Sequence, residues 1–154
     1  MMLAALVASP VAACKGGPEA MQLSPAGMQQ APLTITKADG TTHDFIVELA
    51  LTPEEQQRGM MNRQSLSPDR GMLFVYKQAD YRSFWMKNTY IPLDILFIGS
   101  DGVIQSLEEN MIPLSLNPYL SMEPALLVLE LKGGRVAELG IAPGDTVTWE
   151  RPGA

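Results

Sequence analysis

Apolar and polar residues alternate along two short segments, and this period of two predicts β-strands. The segments cover residues 33–37 (LTITK) and 44–49 (DFIVEL). Asp39 and Gly40 lie between them, and this dipeptide is typical of a tight turn between paired strands. The pattern therefore predicts an antiparallel hairpin.

Two short helices follow from capping signals rather than from a long apolar period. Thr52 is a good N-cap, Pro53 suits the first helical position, and Glu55 completes a capping box, so we expect a helix over residues 53–61. Residues 135–139 follow a glycine pair, and Gly140 suits the position just after a helix end.

The other apolar segments are too short for helices and are bounded by turn residues. They predict strands over residues 72–76, 82–86, 95–98, 103–108, 125–131 and 146–150. Residues 111–124 contain three prolines and no period, so we expect a long loop there. About eight strands without regular βαβ alternation predict a mainly β domain (β-rich α+β), an antiparallel sandwich or a partly open barrel.

The first residues have a different composition, which is typical of an export signal. Residues 1–13 are apolar but shorter than the roughly 20 residues that span a bilayer. Residues 11–14 (VAAC) resemble the lipobox of bacterial lipoproteins, in which the cysteine carries the lipid. We interpret residues 1–14 as a leader and Cys14 as the lipidation site. No Lys or Arg precedes the apolar segment, so the alternative is a terminal leader with a chance cysteine.

Residues 15–32 are rich in Gly, Pro, Gln and Ala and show no period, which predicts a flexible tether. The folded domain is then expected over residues 33–150. A tether between a lipid and a domain suits an exported protein of the bacterial envelope, periplasmic or anchored to the outer membrane. We expect membrane contact only through the N-terminal lipid.

Charge and rare residues narrow the chemistry. The 154 residues include 17 acidic and 11 basic side chains, a net charge of −6, which disfavours nucleic-acid binding. With one Cys and one His, Cys14 and His43, the chain cannot build a zinc site of three or four such ligands. The ten methionines show no repeated spacing and suit core packing better than copper binding. We expect no metal and no cofactor.

Four blocks of the sequence resemble one family. They are residues 58–63 (RGMMNR), 71–74 (GMLF), 84–94 (FWMKNTYIPLD) and a closing block with 128–131 (VLEL), Gly140 and Gly144-Asp145. Together they are similar to the domain of unknown function 192 family over residues 33–149. The resemblance implies a compact, β-rich, jelly-roll-like domain that is often exported. It implies no activity.

Polar residues between apolar strands are the candidate site residues. Lys87 and Asn88 separate an aromatic strand from the apolar residues 95–98, and they form either a turn or a binding site. Asp94 directly precedes that apolar strand and needs a partner, for which the candidates are Arg58, Arg63 and Lys87. It forms either a structural ion pair or loop cap, or a polar pocket together with Arg63 and Lys87.

Glu130 interrupts an otherwise apolar strand. It either faces solvent by simple alternation or contributes a second carboxylate to the pocket. Trp85 either packs in the core or forms a platform for a sugar or an apolar ligand.

These residues favour a non-enzymatic binding or accessory domain. Its ligand-binding groove would be lined by Arg63, Trp85, Lys87, Asn88, Asp94 and Glu130, and its partner would be a small molecule or an envelope protein. One alternative is a hydrolase or lyase with Asp94 and Glu130 as acid and base, because thiol and imidazole relays are unavailable. Another is a structural domain that docks onto another envelope protein, which an exposed apolar patch would favour.

Overall fold

A computed structural model describes residues 23–152 and contains one curled sheet of seven strands. The strands are β1 (Gln30–Thr36), β2 (Thr42–Ala50), β3 (Arg70–Asp80), β5 (Leu93–Ile98), β6 (Ile104–Met111), β8 (Ala125–Lys132) and β9 (Thr146–Trp149). Their spatial order is β6-β5-β8-β3-β2-β1-β9. A separate two-stranded ribbon pairs β4 (Ser83–Phe84) with β7 (Tyr119–Leu120).

The sheet forms a half-barrel whose two edges approach each other at one end. A single bridge joins Val103, just before β6, to Thr146 at the start of β9. The expectation of a mainly β fold and a partly open barrel is therefore confirmed. The neighbouring strands of the sheet are antiparallel except for β2 and β3, which are parallel. The connection that crosses between them contains α1 (Pro53–Arg58).

The sheet is covered on both faces, and this determines where a site can form. An inner core fills the face enclosed by the curl and takes side chains from all seven strands, together with Val136 of α2 (Arg135–Leu139). An outer core covers the other face, where residues such as Met72, Phe74 and Val128 pack beneath the β4–β7 ribbon and residues 24–28.

Local sequence signals explain both helices. Thr52 caps α1 with a full capping box, in which the Thr52 side chain accepts from the Glu55 amide and the Glu55 side chain accepts from the Thr52 amide. The helix ends at Arg58, one turn earlier than expected. Gly140 ends α2 in the left-handed conformation, as predicted.

The domain begins earlier than the expected Leu33. Met28 is buried in the outer core, and β1 starts at Gln30, so the last part of the predicted tether belongs to the fold. Met28 packs in the outer core and Ala31 in the inner core. The sequence conceals this, because the residues around them are polar or small. The predicted leader with Cys14, and tether residues 15–22, lie outside the described residues. Between residues 23 and 152 no helix is long and apolar enough to cross a membrane.

Candidate functional site

Glu130 lies on β8 and faces the outer core. It pairs with Met72 on one side and with Ile95 on the other, and both of these side chains belong to that core. Only 4% of Glu130 is exposed. The interpretation that it faces solvent by alternation is therefore wrong, because the sheet is covered on both faces at this strand.

Burial determines the protonation state of this carboxyl group. It raises the pKa of Glu130 to about 8, and the positive charge of Arg63 opposes the rise only in part. Glu130 is therefore mainly neutral at pH 7. Its Oε2 has no hydrogen-bond partner among the described residues, so one oxygen of a buried acid is left unsatisfied.

A cavity of about 170 Å³ reaches from the surface down to Glu130. One wall is formed by the end of α1 and the turn after it, including Gln57 and Arg58. Three aromatic residues, Tyr76, Phe84 and Trp85, form another part of the lining, which we call the aromatic wall. Glu130 is thus a buried carboxyl group in an opening that is lined by both aromatic rings and polar groups.

The aromatic wall is held in place by specific contacts. The Arg82 guanidinium lies over the Tyr76 ring, 3.5 Å from its centroid, and its Nε donates to the Ala125 carbonyl. Burial raises the pKa of Tyr76 to about 12, so its hydroxyl remains a proton donor at neutral pH. Phe84 packs edge-on against Phe74, with ring centroids 4.9 Å apart.

A second depression, of about 310 Å³, continues from this cavity because Arg58 and Trp85 line both. It is bordered by Lys87 and Asn88, and the Lys87 Nζ lies 5.1 Å from the centroid of the Trp85 ring. We call the two depressions together the Glu130 groove. Asn88 also turns the chain, with a φ of 53° and a carbonyl that accepts from the Asn62 amide.

Arg63 lies close to the Glu130 groove but is paired elsewhere. It forms an ion pair with Glu48 of β2, and both residues line a neighbouring depression of about 340 Å³. Glu48 pairs with Met72, which in turn pairs with Glu130, so the two glutamates share one face two strands apart. Sequence reasoning missed Glu48. The available signal was its position between Ile46 and Ala50, the residues on the same face of the strand.

Asp94 is separated from the groove by the sheet itself. It pairs with Leu131, one position along β8 from Glu130, and therefore faces the inner core. Its carboxylate accepts from the backbone amides of Asn110, Gly134 and Val136 at 2.8–3.0 Å. The partners of Asp94 are thus three backbone amides rather than the expected Arg58, Arg63 or Lys87.

Of the six residues expected to line one groove, the structure brings four together. Trp85, Lys87, Asn88 and Glu130 line the Glu130 groove. Arg63 acts on Glu130 through its charge but lines the depression beside Glu48. Asp94 lies on the opposite face of the sheet. Within residues 23–152, no three His, Cys, Asp or Glu side chains are grouped so that they could hold a metal ion.

Comparison with solved structures identifies similar proteins. A protein of unknown function from Novosphingobium aromaticivorans DSM 12444 is 40% identical, with a TM-score of 0.81, over 93% of this chain and 100% of that chain. A protein from Sinorhizobium meliloti 1021, described as a candidate transcription regulator, is 43% identical, with a TM-score of 0.78. That match covers 79% of this chain and 95% of the other. No curated protein matches the chain.

A family model covers nearly all of the half-barrel. It is described as an uncharacterized ACR and matches residues 34–149, from β1 to the last residue of β9. The resemblance carried by the four sequence blocks is confirmed: the chain belongs to the domain of unknown function 192 family.

Proposed function

We propose that this protein is a binding domain of the bacterial envelope whose ligand occupies the Glu130 groove. The single observation that carries the proposal is the state of Glu130. A buried, neutral carboxyl group with an unpartnered oxygen costs stability unless something satisfies it. Such a group at the floor of an open groove suits a ligand that supplies the missing hydrogen bond.

The walls of the groove indicate the chemistry of that ligand. Trp85 is 47% exposed and offers an indole surface, while Gln57, Arg58 and Asn88 offer polar groups around it. A neutral carboxyl group can both donate and accept a hydrogen bond, and it attracts an uncharged partner more than an ion. We therefore infer a small, uncharged ligand that carries hydroxyl groups and one apolar face, which is the chemistry of a sugar.

A carboxylate hydrolase or lyase is the less favoured function. Its proposed acid and base, Asp94 and Glu130, project from opposite faces of the sheet, and Asp94 is engaged by three backbone amides. Glu48, which lies on the same face of the sheet as Glu130, is paired with Arg63. A pair of carboxyl groups that can act on one bond is thus not available from these residues.

The location belongs to the same proposal. The lipobox-like residues 11–14 support anchoring through Cys14 at the periplasmic or outer face of the envelope. The net charge of −6 disfavours a phosphate backbone as the partner, so the transcriptional description of one similar protein is not extended to this chain.

The proposal is tested by thermal-shift screening with neutral sugars, namely glucose, N-acetylglucosamine and maltose, at pH 6.5. We expect at least one of them to raise the melting temperature, because a ligand that binds only the folded state stabilises it. Glu130→Leu should abolish the shift, and Lys87→Ala should reduce it.

Leu23→Ser is the matched control, because Leu23 is exposed and lines neither depression of the groove. The sugars should raise its melting temperature as much as they raise that of the unmodified protein. A sugar response that survives Glu130→Leu unchanged, or the absence of any response, would contradict the proposal.

A further inference from the structure

The exposed large hydrophobic side chains of this protein are concentrated in two neighbouring segments. Among the described residues, all of them except Leu23 lie in residues 81–90 and 112–122. In the first segment they are Tyr81, Trp85 and Tyr90. In the second they are Ile112, Leu114, Leu116, Leu120 and Met122, which are 55–76% exposed. We call these eight side chains the apolar surface.

Backbone contacts join the two segments into one structure. Ser83 pairs with Leu120 in the β4–β7 ribbon, and the Ser121 amide donates to the Arg82 carbonyl. Further along, the Met86 amide donates to the Ser115 carbonyl and the Leu114 amide donates to the Thr89 carbonyl. The two segments that carry the exposed side chains therefore lie side by side.

The ribbon and the residues that follow β4 carry apolar side chains on both the inward and the outward side. Phe84, Met86 and Tyr119 point inward and pack in or against the outer core. Their sequence neighbours Trp85 and Leu120 point outward and are 47% and 57% exposed. Eight large hydrophobic side chains that are 47–76% exposed present more apolar surface than the few hundred Å² usual for a soluble monomer.

We propose that the apolar surface is a membrane-contact site that inserts into the interfacial layer of a lipid bilayer. This adds a second membrane contact to the one expected at Cys14. It does not depend on the ligand of the Glu130 groove.

The residue types fit a lipid partner better than a protein partner. Residues 112–122 contain no charged side chain, whereas Trp85 and Tyr90 are the residues that favour the boundary between lipid and water. Lys87 lies between them in sequence and can extend its ammonium group to the headgroups. Asp80 and Glu123 at the margin make the surrounding charge mixed, which suits zwitterionic rather than anionic lipid.

Chain length also permits this contact. Eight residues lie between Cys14 and Leu23, the first described residue, and this length of chain reaches at most about 30 Å when extended. Residues 24–28 and the β4–β7 ribbon cover the same face of the sheet, since Met28, Phe84 and Tyr119 all pack in or against the outer core. A lipid on Cys14 would therefore hold the domain near the membrane with this face within reach.

The test uses phosphatidylcholine vesicles and the full chain with Cys14→Ser, which removes the lipid anchor. Trp149→Phe is added, because the sequence has two tryptophans and this leaves Trp85 as the only indole. We expect vesicles to shift the Trp85 emission to shorter wavelength and brominated phosphatidylcholine to quench it. Leu116→Ser with Met122→Ser should weaken vesicle binding by about tenfold or more.

Leu23→Ser is again the control, because it removes an equally exposed leucine from outside the apolar surface and should leave the Trp85 signal unchanged. Vesicle binding without any change at Trp85 would mean that residues 1–13 alone bind, and it would overturn the proposal. So would the absence of binding. A dimer that the same two serines dissociate would assign the surface to a second copy of the chain instead. None of these results depends on the sugar screen, so the two proposals fail separately.

Discussion

At the scale of single residues, the groove depends on the environment of Glu130. If one face of the sheet were exposed to solvent, the alternation along β8 would place the Glu130 side chain in water. The sequence allows that interpretation as readily as burial. The outer core decides between them, because Met72 and Ile95 flank Glu130 on the adjacent strands. These are long-range contacts, which the local pattern around residue 130 does not contain.

The first prediction concerns pH. The pKa of Glu130 is raised from an ordinary 4.5 to about 8, so the folded state keeps a proton that the unfolded state loses. The stability that Glu130 contributes is therefore fully present below pH 4.5 and is lost as pH rises through 8, by about 5 kcal/mol in total. Glu130→Gln should remove this fall, as measured by urea unfolding at pH 5 and pH 8.

Glu54→Gln changes an exposed carboxyl group of α1 and serves as the control, which should keep the pH dependence of the unmodified protein. If Glu130→Gln and the unmodified protein have parallel stability curves between pH 5 and pH 8, Glu130 is not neutral in the fold.

At the scale of elements, local signals predicted most strands and both helices. The Thr52 capping box and the turn at Gly40 are determined by residues close in sequence, and both are present in the structure. The parallel pairing of β2 with β3 and the short strand β7 were missed. Both depend on contacts between distant segments, and the prolines around Tyr119 conceal the strand.

The prediction for Asp94 failed for the same reason, because its hydrogen-bond partners are distant in sequence. Its position before an apolar strand suggested a pocket, but its partners are amides from β6 and α2, which no local pattern indicates. The carboxylate connects β5 to the start of α2 and takes the place of the side-chain cap that Gly134 cannot provide. It is a structural residue of the inner core.

The second prediction follows from these three hydrogen bonds. Asp94→Ala leaves buried amides without an acceptor and should destabilise the protein by roughly 3–5 kcal/mol in urea unfolding. Amide exchange at Val136 should accelerate more than exchange in β2. Asp39→Asn, at an exposed turn, is the control and should leave Val136 exchange unchanged. If Asp94→Ala lowers the free energy of unfolding no more than the control does, Asp94 does not anchor α2 to β5.

At the scale of the whole molecule, one face of the half-barrel carries the features that suggest function. The Glu130 groove opens on the outer-core side, and Trp85 belongs both to its wall and to the margin of the apolar surface. The sequence predicted Trp85 and Lys87 as site residues. It did not show that Asp94 lies on the other face of the sheet, because this depends on how the distant strands pair.

The third prediction concerns location. If Cys14 carries the lipid, Cys14→Ser should move most of the protein from the membrane fraction to the soluble fraction when expressed in a bacterium. The amount of Cys14→Ser protein that stays in the membrane fraction should decrease further when Leu116→Ser and Met122→Ser are added. Equal membrane retention of Cys14→Ser and the unmodified protein would show that Cys14 is not the anchor.

The central claim, that neutral Glu130 binds a hydroxyl-bearing ligand, is tested most directly by titration of the Trp149→Phe protein. Trp85 fluorescence is followed with N-acetylglucosamine or maltose at pH 6.5 and pH 9. We predict saturable binding that weakens about tenfold at pH 9, because ionisation near pH 8 removes the neutral form. With Glu130→Gln, we predict binding that is independent of pH. No Trp85 response, or the same pH dependence in Glu130→Gln, would contradict the account.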